Sequence, residues 1–370
     1  MHARRIEAPI DSLTVRAFVV PTEQQPFESD GTLKWSSTTM VLVQARACGV
    51  TGTGYTYADK AALEIVDNIL REQVVGGDAF DVAAITGACT AKIRNNGRSG
   101  VTAMAVSAVD VALWDLKARL LDLPLCSLLG RARKTVPVYG SGGFTSYDRA
   151  QLCGQLEQWV RDMEIPRVKM KVGSAPKEDP ERVAAARNAI GEHAALFVDA
   201  NGAYSVKEAL ALAQAFASQG VTWFEEPVYH NDLQGNAAVA AAAPPGMDVS
   251  NGEYGYAPYE FKQILDARAA DVLQADVTRC GGVTGFLAAD ALCEAYNIPL
   301  SSHCAPYLTL HVAAAAKQLR HIEYFHDHVR IEKLFFDGAD DPVKGALVPD
   351  LTRPGTGLEF KEADASRYER

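Results

Sequence analysis

From residue 135 onward the chain alternates short apolar runs with helix-like, alanine-rich segments, and no other feature narrows its fold as far. The runs are TVPVYGS, RVKMKVG, ALFVDAN, VTWFEEP, MDVSNGE, DVLQADVT, IPLSSH and RHIEYF, eight in all. Between several of them lie segments such as PERVAAARNAIGE, VKEALALAQAFASQG and GFLAADALCEAYN. Strand and helix alternating at this pitch is the pattern of parallel βα units, and eight units predict a closed barrel rather than an open sheet.

The charged residues keep the same rhythm. Lys171, Asp199, Glu225, Glu253, Asp276, His303 and Glu323 are separated by 28, 26, 28, 23, 27 and 20 residues, about one βα unit each time. Each falls at or near the carboxyl end of a predicted strand, the face of a βα barrel on which active sites are built. The N-terminal third has a different texture. Two strand-like stretches, LTVRAFVV and TTMVLVQARA, flank a polar loop, and helical patterns follow over 58–75 and 101–121, the second apolar nearly all round. TGTG (51–54), GSGG (140–143) and CGGVTG (280–285) lack the context of a dinucleotide site and read as tight turns.

Composition excludes several function classes. No apolar stretch is long enough to span a membrane, and MHARRIEAPIDSL lacks the features of a secretory signal, so a soluble cytoplasmic protein with no membrane partner is expected. The seven cysteines are scattered with no CxxC pair, which suits a reducing compartment. A net charge of -10 argues against nucleic acid as a partner and leaves room for a small anion in a local cationic pocket.

Three carboxylates converging from neighbouring strands, Asp199, Glu225 and Glu253, repel one another unless a cation lies between them. Hard oxygen ligands select a hard ion, and Mg2+ fits best. In FEEP the two glutamates face opposite ways, one toward the barrel mouth and the other toward its surroundings. Lys169 and Lys171 share one face of a strand covered on both sides, and mutual repulsion, with a nearby magnesium ion acting in the same direction, is expected to depress their pKa values until one accepts a proton near pH 7. Asp276 beside His303 fixes its tautomer and raises its basicity, as acid/base work requires. Glu323, if protonated, donates a hydrogen bond to a developing enolate. His321, His326 and His328 read as rim residues rather than as a metal cluster.

Together these residues resemble the enolase superfamily, specifically its mandelate racemase subgroup. The resemblance spans essentially the whole chain: SAVDVALWDLKARLLDLPLCSLLG, the Lys-x-Lys strand, VDAN, FEEP, NGE, QADVTRCGG, SSH and the C-terminal PGTGLEF. It implies an N-terminal α+β capping domain (1–134), a modified (β/α)7β barrel of TIM type (135–335) and a C-terminal segment returning to the cap (336–370). It implies Mg2+ on Asp199, Glu225 and Glu253, a substrate carboxylate held by Lys169 with Ser141 in contact, and Lys171 opposed to the His303–Asp276 dyad across the α-carbon. Glu323 would donate to the enediolate. The expected reaction is dehydration of a sugar acid to a 2-keto-3-deoxy acid by a homo-oligomeric enzyme, with racemisation or epimerisation of a 2-hydroxy acid as the alternative. Specificity is expected in the cap loops 21–37 and 50–58, whose Gln24, Gln25, Glu28, Asp30, Lys34 and Tyr55 outnumber the aromatic Phe27 and Trp35 and suit a polyhydroxylated acid.

Overall fold

The computed structural model describes residues 7–24 and 26–370, so Gln25 lies outside the described residues. The N-terminal third is built on an antiparallel sheet of β1 (Ile10–Pro21), β2 (Ser37–Ala47) and β3 (Val50–Tyr57), in that order. β2 and β3 are joined through Cys48 and Gly49, both at positive φ (52° and 80°), the backbone that a two-residue hairpin turn demands. A helical stretch over Ala61–Val74, containing a π-helical turn at Val66–Leu70, and α1 (Val82–Lys92) complete the cap with α2 (Val101–Leu120). Fourteen residues of α2 are buried, matching its all-round apolar pattern. TGTG is not a turn but part of β3. A Cβ on Gly54 would come within 2.3 Å of the Ala108 carbonyl oxygen, so glycine is what lets strand and helix approach.

The eight apolar runs become eight parallel strands: β4 (Val136–Gly142), β5 (Arg167–Lys171), β6 (Ala195–Asp199), β7 (Val221–Glu225), β8 (Asp248–Asn251), β9 (Val272–Ala275), β10 (Leu300–Ser302) and β11 (Leu319–Phe325). Each pairs with its sequence neighbour, and β11 pairs back to β4, closing the barrel. Helices cross between successive strands and cover the outside, burying both faces of the sheet. Gly140 in β4 faces that helical layer, since a Cβ there would lie 2.7 Å from the Trp159 ring. The alternation of the strand then turns Tyr139 and Ser141 inward. Lower in the barrel, Tyr139, Phe197, Trp223 and Val272 form an apolar plug.

His321 belongs to this plug rather than to the rim. It is fully buried, its ring meeting Tyr139 edge-on at 4.8 Å and lying 5.3 Å from Trp223. Beyond the barrel, α3 (His326–Phe335) leads into a short strand at Phe336–Asp337 that pairs with Glu359–Phe360. There the chain meets β1 again: Phe18 packs on Phe360 at 5.6 Å, and Arg16 reaches Glu362 and Glu369 at 2.7 and 2.6 Å. Among the described residues, no helix is long and apolar enough to cross a membrane. All seven cysteines are free.

Candidate active site

Parallel pairing in register brings the strand-end residues together. Lys171 on β5 stands opposite Asp199 on β6, which stands opposite Glu225 on β7. Glu253 follows β8, Asp276 follows β9 and His303 follows β10. All of these, with Lys169 and Glu323, are buried. Lys171 Nζ lies 2.5 Å from Asp199 Oδ2. Lys169 Nζ contacts Glu225, sits 2.8 Å from Glu323 Oε1 and 3.4 Å from Asp199 Oδ2. Glu225 Oε2 also accepts from Trp223 Nε1 at 2.9 Å and Gln274 Nε2 at 3.0 Å, which fixes that carboxylate on two sides.

The carboxylates around the two lysines act against their mutual repulsion. Burial pulls the Lys171 pKa down and Lys169 repels it, but the carboxylates of Asp199, Glu225 and Glu253 together outweigh both and hold the ammonium above its ordinary value. Lys169 is likewise raised, by Glu225 and Glu323 against the cost of burial. Two like charges share one face, yet carboxylates surround both ammonium groups, and their sum decides the sign. Glu323 is also not the protonated acid expected. Burial acts to raise its pKa, but Lys169 and His303 hold it well below the usual carboxylate range. It accepts from the Cys304 N–H at 2.7 Å. Burial likewise opposes ionisation of Asp199, and Lys171 and Lys169 together overcome it, leaving a pKa of about 2. Burial and the neighbouring Asp199 push Glu225 upward.

His303 Nδ1 stands 2.7 Å from Asp276 Oδ2, so the adjacent-strand dyad is formed. Asp276 Oδ1 accepts from the Thr278 N–H and hydroxyl, both at 2.7 Å, which locks the carboxylate in place. The other ring nitrogen of His303 lies 3.4 Å from Glu253 Oε2 and 3.3 Å from the Cys304 thiol. Ser141 Oγ is buried without a hydrogen-bond partner.

Several residues here escaped the sequence reading. Arg279, three residues after Asp276, reaches both Asp276 (3.4 Å) and Glu253 (3.5 Å), a spacing that the QADVTRCGG motif displayed without its meaning being drawn. Glu226 does not face the surroundings. It is buried, and burial together with the charge of Glu253 pushes its carboxyl well above the ordinary range, which keeps it protonated. Its φ of 38° turns it inward, a backbone state no sequence pattern announced. The remaining histidines part company. His328 borders the cavity above the site, whereas His326 bonds Glu23 at 2.7 Å on the loop side.

That cavity is about 680 Å³, within the range of small-molecule sites. Strand-end residues Lys171, Glu253, Asp276 and His303 form its floor, and Asp30, Trp35 and Tyr57 of the cap contribute to its upper wall. A divalent cation suits the floor. Ligating atoms of Asp199, Glu225 and Glu253 lie within 4.8 Å of one another. Glu253 Oε2 is buried with no hydrogen-bond partner. The carboxyl groups of Asp199, Glu225, Glu253, Asp276 and Glu323 outnumber the cations Lys169, Lys171 and Arg279 that touch them. An all-oxygen set with excess negative charge selects a hard ion such as Mg2+.

Comparison with known proteins agrees with this geometry. Residues 12–130 match the mandelate racemase / muconate lactonizing enzyme N-terminal domain, and residues 151–364 match the enolase C-terminal domain-like family. A 3,6-anhydro-alpha-L-galactonate cycloisomerase of Streptomyces coelicolor is 35% identical over 85% of this chain and 87% of its own length. The L-talarate/galactarate dehydratase of Salmonella typhimurium is 33% identical over 75% of this chain and 70% of its own. Its crystal structure, liganded with Mg and L-lyxarohydroxamate, covers 100% of this chain and 96% of its own at 26% identity, with a TM-score of 0.89. A mandelate racemase/muconate lactonizing enzyme-like protein from Rubrobacter xylanophilus is 50% identical in structural alignment, covering 98% and 100% of the two chains with a TM-score of 0.95. With both domain matches, this fold and this strand-end constellation, the chain belongs to the mandelate racemase/muconate lactonizing enzyme family of the enolase superfamily.

Proposed function

We propose that the protein removes the α-proton of a sugar acid and eliminates a β-oxygen, giving a 2-keto-3-deoxy acid. The observation that carries this is the presence of two acid/base groups of different kinds, Lys171 and the His303–Asp276 dyad, bordering one cavity over a triad of buried carboxylates. Asp199, Glu225 and Glu253 are the residues that would hold Mg2+, which when bound offsets the negative charge that builds on the substrate carboxylate as the proton leaves. Lys169 binds that carboxylate, and Ser141, with its unpartnered buried hydroxyl, contacts it. Glu323, ionised and 2.8 Å from Lys169, orients the ammonium group. Lys171 takes the α-proton. Asp199 is both its partner and a metal-ligand candidate, so a turn of that carboxylate away from Lys171 releases the charge that keeps the lysine protonated. His303, its ring set by Asp276, gives a proton to the departing β-oxygen. The same two groups also support racemisation or epimerisation, in which the dyad returns the proton to the opposite side of the α-carbon.

The test is a screen of sugar acids with Mg2+ in deuterated water, following keto-acid release and α-deuterium incorporation together. Keto product is expected, and Lys171→Ala is expected to reduce it by roughly 10²- to 10⁴-fold. Exchange with inversion and no keto product selects the racemase reading. Absence of both from every α-hydroxy acid, with no effect of Lys171→Ala, sinks the enzyme assignment.

A further inference from the structure

Resting on the proton-abstraction reading above, we infer that the substrate is a monocarboxylate whose far end is uncharged and hydroxylated, an aldonic rather than an aldaric acid. Among the described residues bordering the cavity, the lysines and arginines are Lys171 and Arg279 alone, and both belong to the reacting end. Lys171 is bound to Asp199. Arg279 is held between Asp276 and Glu253, with its guanidinium 4.9 Å from the Tyr254 ring centroid. The cap side carries the opposite character. Asp30 and Asp59 border it, with the hydroxyl side chains of Ser37, Thr38 and Thr39 between them in the lining. A second substrate carboxylate would enter a wall with acids and no cation, where charges ~6 Å apart repel strongly enough to weaken binding on the order of tenfold.

The same wall holds uncharged donors. The Tyr57 hydroxyl is buried with no hydrogen-bond partner, and its ring stacks on His328 at 3.4 Å between centroids and 14° between planes. Burial keeps the tyrosine protonated and His328 neutral, the latter with a pKa of about 3. His328 Nδ1 accepts from the Ala305 N–H at 3.3 Å, which assigns the ring proton to Nε2. A phenol and a neutral imidazole match sugar hydroxyls and offer a carboxylate no charge partner.

The test uses the full chain with Mg2+ and matched aldonic and aldaric acids of the same configuration, pentonic and hexonic, read by keto-acid release and α-deuterium exchange. Each aldonate that reacts is expected to exceed its diacid by about tenfold or more in kcat/KM. In the double variant Asp30→Asn, Asp59→Asn the asparagines keep the oxygens that accept from Thr32 and Leu33 (2.6 and 2.7 Å) and from Ala61 (2.9 Å) while losing the charge. That variant is expected to narrow the preference by threefold or more, through KM for the diacid. Tyr57→Phe is expected to raise KM for the aldonate with kcat nearly unchanged. Equal or better turnover of diacids by the wild-type protein overturns the inference and leaves the proton-abstraction reading standing, as does a preference unmoved in the double variant. No exchange and no elimination with either class removes the underlying reading as well.

Discussion

Lys171 shows how several carboxylates together set the charge of a residue against burial and a like charge. Burial and Lys169 both favour the neutral amine, yet Asp199 at 2.5 Å, with Glu225 and Glu253, keeps the proton on. Asp276 lies 2.7 Å from His303 Nδ1 and orients the ring. Asp276→Asn keeps the size of that partner and removes its charge, so the imidazole loses the carboxylate that orients its ring. We expect elimination to fall by roughly 10²- to 10⁴-fold while metal affinity, measured by calorimetry, changes little. A large loss of metal affinity instead would show that Asp276 acts on the ion site through Arg279 and Glu253.

At the scale of elements, the segment between β1 and β2 is tied to the N-terminus of α3. Its two-residue hairpin, Glu28–Ser29 against Lys34–Trp35, places Glu28 beside Asp327, and Trp35 Nε1 donates to Asp327 Oδ2 at 3.0 Å. Glu28 Oε2 and Asp327 Oδ1 are both buried without a hydrogen-bond partner. Burial, then the neighbouring Asp327, raise Glu28 to about 9, so Glu28 carries its proton beside the Asp327 carboxyl. Tyr147, His326, Glu23 and Arg330 are the other titratable groups around the pair. A folded pKa above the unfolded value means that the tie is at full strength below about 4.5 and is lost as pH rises through about 9. Proteolysis of the 21–37 loop is therefore expected to accelerate above pH 9 in the wild-type protein and to stay slow in Glu28→Gln. A wild-type loop equally resistant at pH 7 and pH 10 would refute the dependence of this tie on a protonated Glu28.

Across the whole molecule, cap and barrel are joined by a buried polar contact as well as by apolar packing. Tyr55 of β3 donates to Glu332 of α3, which also accepts from the Tyr307 N–H at 3.3 Å. Burial lifts Glu332 from 4.5 to about 8. Its contribution is complete below about 4.5 and disappears as pH rises through about 8, at about 1.4 kcal/mol per pH unit between those values. Melting temperatures are expected to decline over that window in the wild-type protein and to decline less in Glu332→Gln, whose amide does not ionise. Identical pH profiles for the two proteins would show that Glu332 is not the group responsible.

The barrel, its strand-end residues and the convergence of three carboxylates among them were legible in the linear chain, because period and spacing are local properties and a parallel barrel turns equal spacing into a common face. TGTG was misread, since Ala108, whose carbonyl requires Gly54, lies 54 residues further along the chain. His321 went to the aromatic plug and His328 to the cavity because strand alternation and a helix start separate residues that look like one cluster in sequence. Glu226, Arg279 and the charge states of Lys171 and Glu323 depended on distances between strands, and Coulomb energy at a few ångströms is decided by which charges are near. Sequence alone determined the fold and which charged residues gather at the strand ends. Tertiary structure decided which of them are paired, which carry a proton and what kind of wall the far end of a substrate meets, because those depend on neighbours that only folding brings together.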